Sequence, residues 1–272
     1  MRICEQRTAV VTGSGRGIGR AVAELLAEHG ARVVVNDLDP DQAEETAERI
    51  RTQGGEAAIC AGSVVEDGFA ERLVAAALDS FGSLDVIVNN AGYTWDGVVH
   101  KMSDDQFDAM LDIHLKAPFR IIRAASAYLR GEAKEALAEG RRPPCRKIVN
   151  VSSTSGVAGK DGQINYAAGK MGVVGMTKTL AKEWGRFNIC VNAVAYGMID
   201  TRLTQAKERG ETGARGALLG IPEAQRQTAL PMIPLGRPGT PQEAAGPVLF
   251  LASPLSDYVT GAVVLVTGGS YV

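Results

Sequence analysis

Short apolar runs alternate along this chain with longer stretches in which apolar residues return every three to four positions. Thr8–Val11, Arg32–Val35, Ala57–Cys60, Leu84–Val88, Ile148–Val151, Ile189–Val194 and Ala262–Val266 are the short runs, most of them valine- and isoleucine-rich and without polar alternation. Such runs read as strands buried on both faces. Between them, Gly19–His29, Asp41–Gln53, Asp67–Ser80, Asp104–Leu137, Gln163–Trp184 and Pro241–Ala252 carry the helical period, with Gly30 and Gly54-Gly55 closing the first two. Strands alternating with helices predict right-handed βαβ units. The expected fold is therefore α/β: a doubly wound parallel sheet with helices on both faces, forming a single domain over residues 1–272.

Two stretches stand outside that rhythm. Gly131–Arg146 is charged and reads as an exposed helical extension with a loop. Met198–Pro238 is rich in glycine, proline, threonine and charge, and follows a strand at the edge where doubly wound sheets bind ligands. A long loop there predicts a substrate lid over 198–238, with Leu218, Leu219, Ile221, Leu230, Met232 and Ile233 giving it apolar faces.

Composition narrows the classes. The 272 residues, 45% hydrophobic with 32 glycines, are enough for a substantial core. A formal net charge of −2 leaves no electrostatic footprint for nucleic acid or an anionic membrane. Runs such as Ala244–Ala252 are too short to span a bilayer. Arg7-Thr8 leads straight into a strand without the regions of a signal peptide, so a cytoplasmic location is expected. The four cysteines, Cys4, Cys60, Cys145 and Cys190, are scattered without C-x-x-C and read as free or buried thiols. His29, His100 and His114 have no metal-ligand spacing, so no metal is expected.

Candidate chemistry enters at two places. Thr12-Gly13-Ser14-Gly15-Arg16-Gly17-Ile18-Gly19 joins the first strand to the first helix, and Asp37 follows 20 residues after Gly17. A glycine-rich turn in that context lets backbone N–H groups approach a pyrophosphate, with a carboxylate placed for the adenosine ribose. Further on, Ser152-Ser153 ends a strand, while Tyr166 and Lys170 sit four apart on the following helix and so share a face. A phenol with an ammonium beside it and a hydroxyl across a cleft suits proton exchange with a ketone or secondary alcohol.

With T-G-x-x-x-G-x-G at 12–19, N-N-A-G at 89–92, Ser153 thirteen residues before Y-x-x-x-K at 166–170, and V-N-A-V at 191–194 leading to Gly197 and Thr201, the chain resembles the short-chain dehydrogenase/reductase family over essentially its whole length. Within it, the 3-oxoacyl-(acyl-carrier-protein) reductase branch is the most similar. The resemblance implies an NAD(P)-dependent oxidoreductase interconverting a small-molecule ketone and secondary alcohol, working as a homotetramer. Tyr166 would be the general acid/base, Lys170 would lower its pKa and bind the nicotinamide ribose, and Ser153 would orient the carbonyl. Gly13, Ser14, Arg16, Gly17, Ile18, Gly19, Asp37, Leu38, Ser63, Val64, Asn90, Ala91, Gly92, Tyr166, Lys170, Gly197, Ile199 and Thr201 would meet the cofactor. His114 replaces a family asparagine that supports a proton relay, and would stand in for it. Tyr196, Ser63 and Thr267 also depart from the family pattern. Asp37 favours NAD and Arg16 favours NADP; a carboxylate fixed at a strand end should win over a long side chain free to turn to solvent or to Asp37, so NAD is expected. A steroid or other bulky-alcohol dehydrogenase, and a dinucleotide-binding regulatory protein without catalysis, remain open alternatives.

Overall fold

The computed structural model describes residues 2–213 and 216–270. Met1, Tyr271 and Val272 of the expected 1–272 unit, and Ala214 and Arg215 of the expected lid, lie outside the described residues.

Seven strands, β1 (Thr8–Val11), β2 (Arg32–Val35), β3 (Glu56–Ile59), β4 (Val86–Asn89), β5 (Arg146–Ser153), β6 (Ile189–Tyr196) and β7 (Val263–Val266), form one parallel sheet in the order β3-β2-β1-β4-β5-β6-β7. The chain winds outward from β1 to β3, then returns to lay β4 on the other side of β1, pairing Val10 with both Val34 and Ile87. The order reverses between β1 and β4, where a crevice opens beyond the strand ends.

Alternation along the strands sorts side chains into two cores. Ala9, Val11, Val33, Val35, Val86, Val88 and Val149 pack beneath α1 (Gly17–Glu28), α2 (Pro40–Thr52) and a late helix at Pro241–Ala252. Val10, Val34, Ile87, Ile148 and Val191 pack on the opposite face beneath α3 (Phe69–Phe81) and two long helices described next. Each such side chain, fully buried, contributes about 1.5–3 kcal/mol over leaving it in water. Both faces being covered is why these strands show no polar alternation.

The helix expected over 104–137 is three pieces. α4 (Asp104–Leu111) opens with a capping box between Ser103 and Gln106; a π turn covers Asp112–Lys116; α5 runs Ala117–Ala138. Pro118 has no N–H to offer the His114 carbonyl, and the widened turn absorbs that missing bond. α5 continues into the charged extension and buries Ala133 and Ala136, so its helical part packs rather than lying exposed. β5 begins two residues before the expected strand because Arg146 and Lys147 are buried with partners: Arg146 with Glu132, and Lys147 with Asp257 at 2.8 Å.

A one-turn helix α6 (Thr154–Ala158) and the long α7 (Ile164–Trp184) follow β5. The 198–238 segment contains α8 (Glu223–Ala229) and short 3₁₀ turns; α9 (Pro241–Ala252) starts with a capping box between Thr240 and Glu243.

Candidate active site

The glycine-rich turn is held against the neighbouring strand by side chains that flank it. Thr12 Oγ1 accepts from the N–H groups of Asn90 and Ala91 at 3.0 Å each, and Asn90 Nδ2 donates to the carbonyls of Thr12 and Gly13 at 2.9 and 3.0 Å. Glycine is required by proximity: a Cβ on Gly19 would stand 2.1 Å from the Gly13 carbonyl oxygen, and one on Gly13, at φ +62°, 2.8 Å from Ala91 Cα. Asn36 ties the turn to the next loop, accepting from Gly13 N–H and donating to the carbonyls of Cys60 and Gly62. The first turn of α1 has no side-chain cap, which leaves its N–H groups to an anion.

Ser14 differs from expectation. Its hydroxyl donates to the Val11 carbonyl at 2.7 Å, its N–H to the Asn36 carbonyl, and it is fully buried away from the cavity. Its role is to lock the turn. Asp37 accepts from the N–H groups of Gly15 at 2.9 Å and Asp39 at 3.1 Å, which fixes the carboxylate at the end of β2. Arg16 is not loose: its guanidinium pairs with Asp39 at 2.8 Å. Asp39 also caps α2 just before Pro40, a helix-start signature that could have flagged it. Arg202, which sequence reasoning passed over, lines the same end, where burial and the like charge of Arg16 lower its pKa while Asp37 opposes them.

At the other end, Ser153 closes β5 and accepts from Ser155 N–H at 3.1 Å, while α7 presents Tyr166 and Lys170. The Ser153 hydroxyl lies near enough to the Tyr166 phenol to favour its ionised form. Lys170 Nζ donates to the Val151 carbonyl at 2.8 Å and stands 5.6 Å from the centre of the Tyr166 ring. The electrostatics correct one expectation. Burial pushes the Tyr166 phenol up to about 12, the Ser153 hydroxyl opposing this and the Asp96 carboxylate adding to it. Burial takes Lys170 down to about 7. The ammonium expected to depress the phenol is itself discouraged by the apolar surroundings, so desolvation wins over charge pairing here.

His114, on the π turn, is buried under Tyr166, the rings meeting edge to face at 4.8 Å. Its Nε2 is 2.7 Å from the Tyr93 carbonyl, while Nδ1 is buried with no hydrogen-bond partner among the described residues. Burial, then the Lys170 charge, hold its pKa well below the usual value. The bonded nitrogen therefore carries the proton, and Nδ1 keeps a lone pair. Gly92 makes room for the ring, since a Cβ there would lie 2.3 Å from His114 Cε1.

One cavity of about 1020 Å³ joins both ends, and every residue expected to contribute lines it except Ser14. It also brings in Asp96, whose carboxylate accepts from Gln163 Nε2 at 3.0 and 3.1 Å, and which neither motif nor spacing had singled out. Tyr196 also borders the cavity, but its hydroxyl turns into the core and donates to the Ala244 carbonyl at 2.8 Å. A glycine cradle, an uncapped helix terminus and a fixed ribose-side carboxylate in one cleft fit a dinucleotide.

Residues 13–271 match the family model described as enoyl-(acyl carrier protein) reductase. The chain is 37% identical over 265 residues to 3-oxoacyl-(acyl-carrier-protein) reductase of Thermotoga maritima, covering 97% of this chain and 98% of that protein. It belongs to the short-chain dehydrogenase/reductase family. The Vibrio cholerae 3-oxoacyl-(acyl-carrier-protein) reductase is 37% identical over 267 residues (98% of each chain), and an uncharacterized oxidoreductase of Mycobacterium bovis 38% over 270 (98% and 97%). This short-chain dehydrogenase/reductase is an oxidoreductase of CH–OH groups using a nicotinamide dinucleotide.

Proposed function

We propose that the enzyme interconverts a 3-oxoacyl compound and its 3-hydroxy counterpart, with Tyr166 carrying the proton. The observation that carries this reading is Ser153, Tyr166 and Lys170 gathered on one wall of the cavity, with Lys170 buried 5.6 Å from the Tyr166 ring. Ser153 donates to the substrate carbonyl oxygen, and Tyr166 gives that oxygen its proton in reduction or takes it in oxidation. A phenol pushed toward 12 is protonated at neutral pH, which suits reduction. A bound nicotinamide supplies or accepts the hydride. Lys170 holds its ribose, the glycine-rich turn its pyrophosphate, and Asp37 its adenosine ribose. The 3-oxoacyl class is supported by the names of the relatives and by the apolar side chains of 198–238, read as a lid.

NAD is the proposed cofactor. Asp37 is fixed by two N–H groups, while Arg16 is engaged by Asp39, so the like charge facing a 2′-phosphate is the better placed. Arg202 works against this as a full cation at neutral pH, but Asp37 and Asp39 lie near it and offset its charge. The same reading takes the protein as a cytoplasmic homotetramer.

Tyr166→Phe tests the assignment. It should lower kcat by roughly 10²–10⁴-fold in acetoacetyl-thioester reduction while leaving NADH affinity, read by fluorescence, nearly unchanged. Unchanged turnover would remove the role. In the same assay NADH should exceed NADPH in kcat/KM by about 10–100-fold, each tenfold being about 1.4 kcal/mol; equal or better use of NADPH would overturn the cofactor choice.

A further inference from the structure

The fold brings together two cysteines that lie 45 residues apart in sequence. Cys145 immediately precedes β5 and Cys190 is on β6, in a register that pairs Lys147 with Cys190. Their sulfurs are 3.6 Å apart; because Cys145 is staggered two positions from the residue opposite Cys190, closing to the bond length of about 2.0 Å also draws in the chain just before β5. Both are free thiols; Cys145 is half-buried and Cys190 is 7% exposed. Among the described residues neither Cys4 nor Cys60 has a sulfur contact of this kind.

We propose that Cys145 and Cys190 form an oxidant-reactive dithiol that closes to a disulfide across β5 and β6 on meeting a hydroperoxide. The surroundings support a shared thiolate. The Cys145 S–H stabilises a negative Cys190 sulfur, and the Lys147 ammonium adds to this; together they outweigh burial and the Asp257 carboxylate and bring Cys190 down to about 7. The same bond pushes Cys145 up, so one sulfur ionises easily while the other keeps its proton. Around them, Lys147 Nζ is held by Asp257 at 2.8 Å and by Ser256 at 3.1 Å, and Arg7 donates to the Cys145 carbonyl at 3.1 Å.

The step balances without a metal or a cofactor. The Cys190 thiolate attacks one peroxide oxygen, the O–O bond breaks, and a sulfenic acid forms as hydroxide or alkoxide leaves and takes a proton. Cys145 then attacks that sulfur, the S–O bond breaks, and water leaves with the Cys145 proton. The two thiols lose two electrons and the peroxide gains them. Cys145 stands at the opposite end of β5 from Ser153, roughly 25 Å away along the strand, so the bridge leaves the catalytic groups in place.

Hydrogen peroxide applied to the full-length native protein tests the proposal. Intact mass should fall by about 2 Da, two of the four thiols should become unreactive, and non-reducing peptide maps should join Cys145 to Cys190, all reversed by dithiothreitol. Because the bridge closes a 45-residue separation, Tm should rise by roughly 5–10 °C. Cys145→Ser and Cys190→Ser should each abolish the mass loss and the Tm shift; Cys4→Ser and Cys60→Ser should abolish neither. Circular dichroism checks that each variant is folded, with Cys145→Ala and Cys190→Ala in reserve. The proposal is overturned by oxygen adducts without a cross-link, by a disulfide that survives the Cys145 or Cys190 substitution, or by an unchanged mass under conditions that oxidise free glutathione.

Discussion

His114 is neutral where it sits, and that has a measurable sign. An imidazole whose folded pKa lies well below its unfolded value near 6.5 contributes stability that is present above pH 6.5 and lost as the pH falls through the folded value. The slope reaches about 1.4 kcal/mol per pH unit for one proton. Melting temperatures of the wild type should therefore fall more steeply below pH 6.5 than those of His114→Asn. An equal slope in the two would remove the imidazole from the account. Lys170 adds to the trend on the alkaline side: with a folded value near 7 against 10.5 unfolded, its contribution rises as the pH climbs between those limits. Asparagine can satisfy the Tyr93 carbonyl and leucine cannot. An unsatisfied buried carbonyl costs about 1–3 kcal/mol of stability, so His114→Leu should melt below His114→Asn; if the imidazole also serves a proton relay, His114→Leu should lose kcat while His114→Asn stays active. A leucine variant as active as wild type would make His114 a packing residue.

At the scale of elements, the active site is assembled from rigid and less rigid parts. Strand ends and α7 carry Ser153, Tyr166 and Lys170, whereas 198–238 combines α8, short turns and isolated bridges, such as Ala206 with Ile221. Cofactor with a substrate analogue should therefore increase hydrogen-exchange protection within 198–238 more than in β5 or α7; equal protection with and without ligand would remove the lid reading. The strands were legible because Ala9–Val11 and Val33–Val35 are apolar on both faces, a pattern that a sheet covered on both sides imposes. The Ser153–Tyr166–Lys170 group was legible because four residues along a helix is one turn. The π turn was not, since Asp112–Lys116 keeps the helical spacing of apolar residues and only the proline at 118 hints at it. Nor could a motif tell that Ser14 faces inward, that Arg16 meets Asp39, or that Cys145 meets Cys190. Those depend on how the turn and two distant strands settle against each other.

For the whole molecule, the proposed homotetramer has candidate surfaces. Phe119 on α5 and Met171 on α7 are each about half exposed, and Tyr258, Leu255 and Leu265 are open near the β7 edge. Native mass spectrometry should give four times the 28.6 kDa chain mass; a monomer at micromolar concentration would refute the tetramer. The strand order also has a consequence for synthesis. In the finished sheet Ala9 lies beside Val33 and Val86, but the second partner is encoded far downstream, after all of β2, α2, β3 and α3. At translation rates of about 5–20 residues per second, β1 waits roughly 4–15 s on the ribosome with one edge open. For that interval the nascent chain presents an unpaired valine strand, and it is then that a ribosome-bound chaperone has most to protect.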